Sequence, residues 1–240
     1  MFRSTPHVVA HRIEGQTPVR GLLVTAALFA LILFPASLYT FGSATVPLAV
    51  FGAAVTVAAY GLVQGYPHPV LGLCNVITLL RVALVAFLVG TVLATDVSAW
   101  VVFAVALVAF ALDGVDGWLA RRAALASDFG ARFDMETDAG LGAVISLWLL
   151  VSGTTGPEIL ILGFMRYAFV AAAFVWPALQ APLPHSVRRK VVCVIQIGAL
   201  ILLLLPLTPQ GIGVPVAIGA AVLLSWSFLV DILWLAKRAA

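Results

Sequence analysis

Charge is what this sequence has least of: 10% of its 240 residues are ionised side chains, against roughly a quarter in ordinary soluble proteins. A chain this poor in charge cannot dress a globular surface in water. Cysteine is also scarce, with Cys74 and Cys193 alone. Both fall near the cytoplasmic ends of apolar stretches on the topology derived below, where thiols stay reduced, so no disulfide is expected. No histidine in the pattern activates either one as a nucleophile, which leaves apolar packing as their expected role. Ten-residue segments of alternating polarity are missing as well, which excludes an outer-membrane barrel. The connections around 42–44, 95–98, 153–157 and 208–213 contain no Lys or Arg, and none is long enough for a soluble domain.

What the chain has instead is apolar sequence, 63% of residues with a mean hydropathy of +1.14. A helix needs about 20 such residues to cross a bilayer. Eight runs qualify, near 21–41, 45–65, 75–95, 98–120, 131–153, 157–177, 190–207 and 212–236. The fold class expected is therefore an all-α integral membrane protein with eight transmembrane helices. The basic residues fix its orientation. Arg3, Arg12, Arg20, Arg121, Arg122, Arg132, Arg188, Arg189, Lys190, Lys237 and Arg238 all fall on one side when the N-terminus is cytoplasmic, as the positive-inside rule requires. Both termini are then cytoplasmic in a multi-pass protein of the cell's inner (plasma) membrane. The formal charge of +3 and the pI near 9.2 reflect this placement, so no nucleic-acid partner is expected. Residues 1–20 are too polar and too long for a signal peptide; a retained cytoplasmic tail and a short interfacial helix both fit them. Tryptophans near the ends of the runs fit an aromatic belt.

The chemistry is concentrated in ALDGVDGWLARRAALASDFGARFDMETDAG, residues 111–140. Four aspartates sit at or inside the ends of two apolar helices, where each ionised carboxylate at mid-bilayer would cost about 2.5–3.5 kcal/mol. They must lie near the interface, in a hydrated cavity, or beside cations. Asp113 and Asp116 are three residues apart, about 4.5 Å along a helix axis, and Asp134 and Asp138 share a face of the next helix. Antiparallel neighbours bring the two pairs to similar depth, just inside the cytoplasmic surface. Hard oxygen ligands in this grouping suit Mg²⁺ or Mn²⁺, two ions for four carboxylates. Gly114, Gly117 and Ala120 leave one side of the first helix without bulk, and Gly130 does the same on the second. Arg121 offers a planar donor fork for phosphate oxygens. Together these groups describe a pyrophosphate site.

The spacing of Asp113, Asp116, Gly117, Ala120, Arg121, Gly130, Asp134 and Asp138 resembles the signature of the CDP-alcohol phosphotransferase (CDP-alcohol phosphatidyltransferase) family at every position, and Asn75, Thr78 and Arg81 resemble its element before the first core helix. The resemblance covers about residues 70–236, a six-helix catalytic core, with two additional transmembrane helices in 21–66 and a cytoplasmic C-terminus at 237–240. It implies a homodimer that transfers a phosphatidyl group from a CDP-linked lipid, usually CDP-diacylglycerol, to an alcohol acceptor and releases CMP in phospholipid biosynthesis. It further implies Asp113, Asp116, Asp134 and Asp138 as metal ligands, Asp138 also as the catalytic base, and Asn75, Thr78, Arg81, Gly117, Ala120, Arg121 and Gly130 as the donor-binding surface. The RFDMETDAG context is similar to that of inositol-using synthases, but Ala139 stands where a basic residue often follows, and no acceptor subfamily is identified.

Several charges lie outside this pattern. Glu136 points about 200° away from Asp134 on a helix, toward a pairing with Arg132. Arg166, a lone charge within an apolar run, marks either an acceptor or phosphate site or an ion pair with Glu136, Glu158 or Asp231. Arg188, Arg189 and Lys190 fit an acceptor or lipid phosphate, and equally a simple anchoring role. A cation channel or proton-coupled transporter is the alternative use of intramembrane carboxylates, though such a pathway calls for polar groups at several depths.

Overall fold

The computed structural model describes residues 16–94, 96–122, 125, 127–181, 183–184, 186–209 and 211–239, with side chains except at 16, 17, 115–122 and 239. Every regular element among these is helical. In chain order they are α1 (Gln16–Phe41), α2 (Thr45–Gly65), α3 (Gly72–Leu93), α4 (Ala99–Arg122), α5 (Asp128–Val151), α6 (Ile159–Val175), α7 (Val187–Leu204) and α8 (Gly213–Ala239), with a 3₁₀ turn at Pro177–Gln180 before α7.

The helices follow the apolar runs, and their ends move by a few residues for reasons that hydropathy does not register. α5 begins at Asp128, three residues ahead of its apolar run, because the Ser127 hydroxyl accepts the Gly130 N–H at 3.0 Å and so caps an otherwise unpaired amide. Asp128 in the first turn also complements the positive end of the helix dipole. At the end of α1, Gly42 adopts φ +72° and its N–H returns to the Leu38 carbonyl at 3.0 Å. A left-handed residue of this kind closes a helix at little cost only when it is glycine.

Among the described residues, four helices are long and apolar enough to cross a membrane, over Pro18–Phe41, Thr45–Gly65, Gly72–Leu93 and Gly213–Arg238, and the apolar stretches Ala99–Gly114 and Ile159–Val175 are shorter. α5 and α7 depart from the eight uniform spans expected from sequence. The first half of α5 holds Asp128, Arg132, Asp134, Glu136 and Asp138, and the first turn of α7 holds Arg188, Arg189 and Lys190.

The chain forms two compact units: residues up to Gly90 with Ala111–Thr137, and Thr91–Phe110 with Asp138–Ala240. In the first, α1 and α2 pack together, and the Phe41 ring lies 5.3 Å from that of Phe87 on α3. A Cβ at Gly90 would sit 2.5 Å from Phe41 and 2.8 Å from Pro47, so glycine lets α3 approach the α1–α2 turn. Leu23, Val24, Leu28, Leu31, Ile32 and Phe34 on α1 are each at least half exposed. In water such a patch would invite association; in hydrocarbon it carries no penalty.

Within the second unit, Gln196 on α7 donates to the Leu162 carbonyl on α6, and Phe169 meets Phe228 of α8 at 5.5 Å. α5 and α6 meet through small residues. A Cβ at Gly163 would fall 1.9 Å from the Ser146 Oγ and 3.0 Å from the Ala143 Cα, the close backbone approach that small residues give membrane helices. Gly163→Ala should therefore destabilise the protein by about 1–3 kcal/mol, the usual cost of overpacking, read as a lower thermal midpoint in detergent. Gly114→Ala, where a Cβ meets nothing within 4 Å, should not lower it.

Candidate functional site

The site grows from one face of α3. Asn75, Thr78 and Arg81 recur every three residues and are 2%, 3% and 0% exposed. Burial of three polar side chains in an apolar helix requires that each be satisfied. Thr78 donates to the Cys74 carbonyl at 3.1 Å. Asn75 donates through Nδ2 to the Leu71 carbonyl at 2.6 Å and to the Tyr66 hydroxyl at 3.0 Å. Arg81 reaches across to the carboxylates: its Nη1 lies 3.2 Å from the Asp113 Oδ1 and also donates to the Asp134 Oδ1.

Asp113 and Asp134 come from consecutive helices. Asp113 lies toward the C-terminal end of α4 and Asp134 in the second turn of α5, with the Asp113 side chain 32% and the Asp134 side chain 37% exposed. Asp138 follows one turn later on α5. One carboxylate oxygen from each of Asp113, Asp134 and Asp138 lies within 4.8 Å of the others. Oxygens that share a divalent ion at about 2.1 Å are roughly 3–4 Å apart, so small side-chain rotations bring these three onto one ion. All three donors are hard carboxylate oxygens, the set that Mg²⁺ or Mn²⁺ takes. The triad is thus chemically and geometrically suited to a divalent cation.

Beside it, Gly130 packs on α3. A Cβ there would lie 3.3 Å from the Asn75 Oδ1 and 3.2 Å from the Ser127 Oγ, so this glycine gives the Asn75 carboxamide its room. Around Gly114 the space is open to 4 Å. The side chains of Asp116, Gly117, Ala120 and Arg121 lie outside the described residues. On α5, Arg132 and Glu136 are exposed.

The remaining basic candidates belong to the second unit. Arg188 is engaged there by α8: its Nη1 donates to the Ser227 carbonyl and hydroxyl, its Nη2 to the Asp231 Oδ1, and its guanidinium lies 5.6 Å from the centre of the Trp226 ring. That set of contacts pins the start of α7 to α8. Asp231 is also one of the partners the sequence allowed for Arg166. Arg189 donates to the Pro184 carbonyl, Lys190 is exposed, and Arg166 is partly buried on α6.

Two features had no counterpart in the sequence reading. Tyr66 lies in a stretch legible only as a turn, QGYPHP, and the Arg188–Asp231 pair spans 43 residues of chain. Arg188→Ala should lower the thermal midpoint, and more than Asp231→Ala, because it also removes the contacts to Ser227 and Trp226. The double variant should lose little more than Arg188→Ala alone, since the Arg188–Asp231 interaction is already gone in it. Additive losses would show that the two side chains act separately.

Comparison with curated proteins and with solved structures gives no match. A family model, CDP-alcohol phosphatidyltransferase, matches residues 71–232, more than half of the chain and the whole run from the polar face of α3 through the carboxylates of α4 and α5 into α8. With that match laid over the buried Asn75, Thr78 and Arg81 and the Asp113–Asp134–Asp138 triad, the chain belongs to the CDP-alcohol phosphatidyltransferase family, a family of transferases.

Proposed function

We propose that this protein transfers a phosphatidyl (substituted phosphoryl) group from a CDP-linked lipid such as CDP-diacylglycerol to the hydroxyl of an alcohol acceptor, releasing CMP. The observation that carries the reading is the carboxylate triad beside a buried arginine in a chain of this family. Asp113, Asp134 and Asp138, with Asp116, are the residues to hold Mg²⁺ or Mn²⁺, two ions in the full site. When bound, the metal neutralises pyrophosphate charge and stabilises the departing CMP.

The chain's own residues divide the remaining tasks. Asn75, Thr78, Gly117, Ala120, Arg121 and Gly130 form the surface for the nucleotide of the donor. Arg81 holds the Asp113 and Asp134 carboxylates together and offsets their mutual repulsion. Asp138 takes the proton of the acceptor hydroxyl as that oxygen bonds to the phosphorus distal to the cytidine; the bond from that phosphorus to the CMP oxygen breaks, and CMP departs. A base for this step must come within hydrogen-bond reach of the hydroxyl. Arg166, Arg189 and Lys190 are the candidates for an acceptor or lipid phosphate, while Arg188 secures α7.

The wider assignment follows the same reading. All eight helices span the cell's inner (plasma) membrane, with both termini and the active site at the cytoplasmic face. The core of 70–236 works as a homodimer, the helices within 21–66 flank it, and residues 1–20 and 237–240 remain cytoplasmic.

Purified protein given CDP-diacylglycerol, Mg²⁺ and a panel of acceptors (inositol phosphate, glycerol phosphate, serine, choline) should release CMP with at least one, and mass spectrometry of the product names it. Asp138→Asn should reduce the rate at least a hundredfold, within the span that general-base catalysis contributes. EDTA should abolish turnover, and Mg²⁺ or Mn²⁺ restore it. No CMP with any acceptor, together with cation flux into liposomes, would establish a transporter instead.

Arg81→Met should lower stability by about 2–3 kcal/mol in EDTA. This is somewhat less than a broken, fully buried pair costs, because the two carboxylates keep part of their hydration. Mg²⁺ should recover part of that loss by supplying the missing positive charge. Thermal unfolding with and without the ion measures both effects.

A further inference from the structure

The family match begins at residue 71, yet a side chain from before it reaches the donor face of α3. Tyr66 sits directly after α2, in the connection that leads into α3. Its hydroxyl donates to the Leu71 carbonyl at 2.8 Å and lies 3.1 Å from that of Val70, and it accepts from the Asn75 Nδ2 at 3.0 Å. The same Nδ2 donates to Leu71 at 2.6 Å. Both amide protons of Asn75 are thereby directed toward the 66–71 connection. Its Oδ1 is left on the Gly130 side, 3.3 Å from where a Cβ at that glycine would stand.

An asparagine carboxamide turned by half a circle has nearly the same shape but exchanges donor for acceptor. Its orientation is therefore set by its partners alone. A backbone carbonyl accepts, and Tyr66, whose own proton is committed to Leu71, accepts too, so both reject the Oδ1. Burial raises the pKa of the Tyr66 hydroxyl, Cys74 adds to the rise, and the hydrogen bond from Asn75 works against it. The hydroxyl consequently keeps its proton across the physiological range. Tyr66 is itself held in place: its ring meets Phe129 at 5.6 Å and His68 at 5.3 Å, both edge to face. Phe129 stacks on Phe133 at 5.6 Å. A Cβ at Gly61 of α2 would come within 3.0 Å of the Phe129 ring, so α2 closes on the first turn of α5 with the tyrosine beside them.

We infer that Tyr66 is a positioning residue for the donor site: it fixes the Asn75 carboxamide with its acceptor oxygen toward Gly130, and through it α2 governs how the nucleotide is bound. The inference rests on the reading of Asn75 and Gly130 as donor-binding residues. It gives α2 and the connection that follows it, ahead of the family match, a part in substrate recognition.

Tyr66→Phe removes one hydroxyl and keeps the ring packing. In the full-length protein with Mg²⁺, its affinity for CDP, measured by calorimetric titration, should fall about fivefold, as loss of one neutral hydrogen bond predicts. The KM for the CDP-linked donor should rise by a similar factor while kcat stays within twofold. In an Asn75→Ala background the same substitution should change CDP affinity by less than twofold, because there is no carboxamide left to orient. Unchanged CDP affinity in Tyr66→Phe overturns this inference alone, as does a fivefold loss that persists without Asn75. Wild-type protein that binds no CDP overturns the donor-site reading, and this inference with it.

Discussion

A guanidinium with no exposed surface, held against carboxylates from the next two helices, is the interaction on which this architecture turns. Arg81 is fully buried on α3, and an isolated charge there would be among the costliest features a membrane helix can carry. Asp113 and Asp134 offset that cost, and Arg81 in turn offsets the repulsion between two acidic groups that stand close together. Paired in this way, the three helices can place hard oxygen ligands side by side while their apolar faces remain intact. The partial exposure of the carboxylates, 32% and 37%, leaves them an open side from which a cation can arrive.

Around this centre the chain uses small residues where it needs closeness and polar residues where it needs direction. Gly163 against Ser146 and Gly90 against Phe41 and Pro47 bring helices together at distances no side chain would permit. Asn75, Gln196 and Arg188 each satisfy a polar group on a neighbouring segment. In a low-dielectric interior such bonds are strong when made and expensive when missing, so they specify one arrangement among many apolar packings of similar energy.

The helices were legible because a helix that buries its backbone in lipid must be apolar over about 20 residues, and α2 was found at its very bounds. The ends were less legible. Hydropathy reports depth, whereas α5 begins where the Ser127 hydroxyl can cap it and α1 ends where Gly42 can turn left-handed. The pairing of Asp134 with Asp138 was legible from helical spacing alone, since residues four apart must share a face, while the Asp116 side chain lies outside the described residues. Arg81 was legible as a member of a motif but not as the partner of Asp113 and Asp134, which lie 32 and 53 residues away along the chain. Local pattern holds no information about a contact at that separation. Tyr66 was invisible for a related reason: the prolines and glycine around it announce a turn, and a turn's sequence does not say which helix it will face. The Arg188–Asp231 pair shows the same limit in the other direction, because a basic cluster that suggested a ligand also serves to join two helices.

The order of these residues along the chain bears on how the protein is made. Arg81 is synthesised before either of its acidic partners, on a helix whose mean hydropathy of 2.5 is the highest of the four candidate spans. That surplus of apolar residues lets α3 enter a bilayer with its charge still uncompensated. In the eight-span arrangement proposed above, α5, rich in carboxylates over its first half, has no such surplus and meets a cation already at its depth. Exchanging the signs, with the acid on α3 and the base on α5, would give the same finished contact and a different nascent chain, one in which the order of translation no longer helps the helix least able to insert alone.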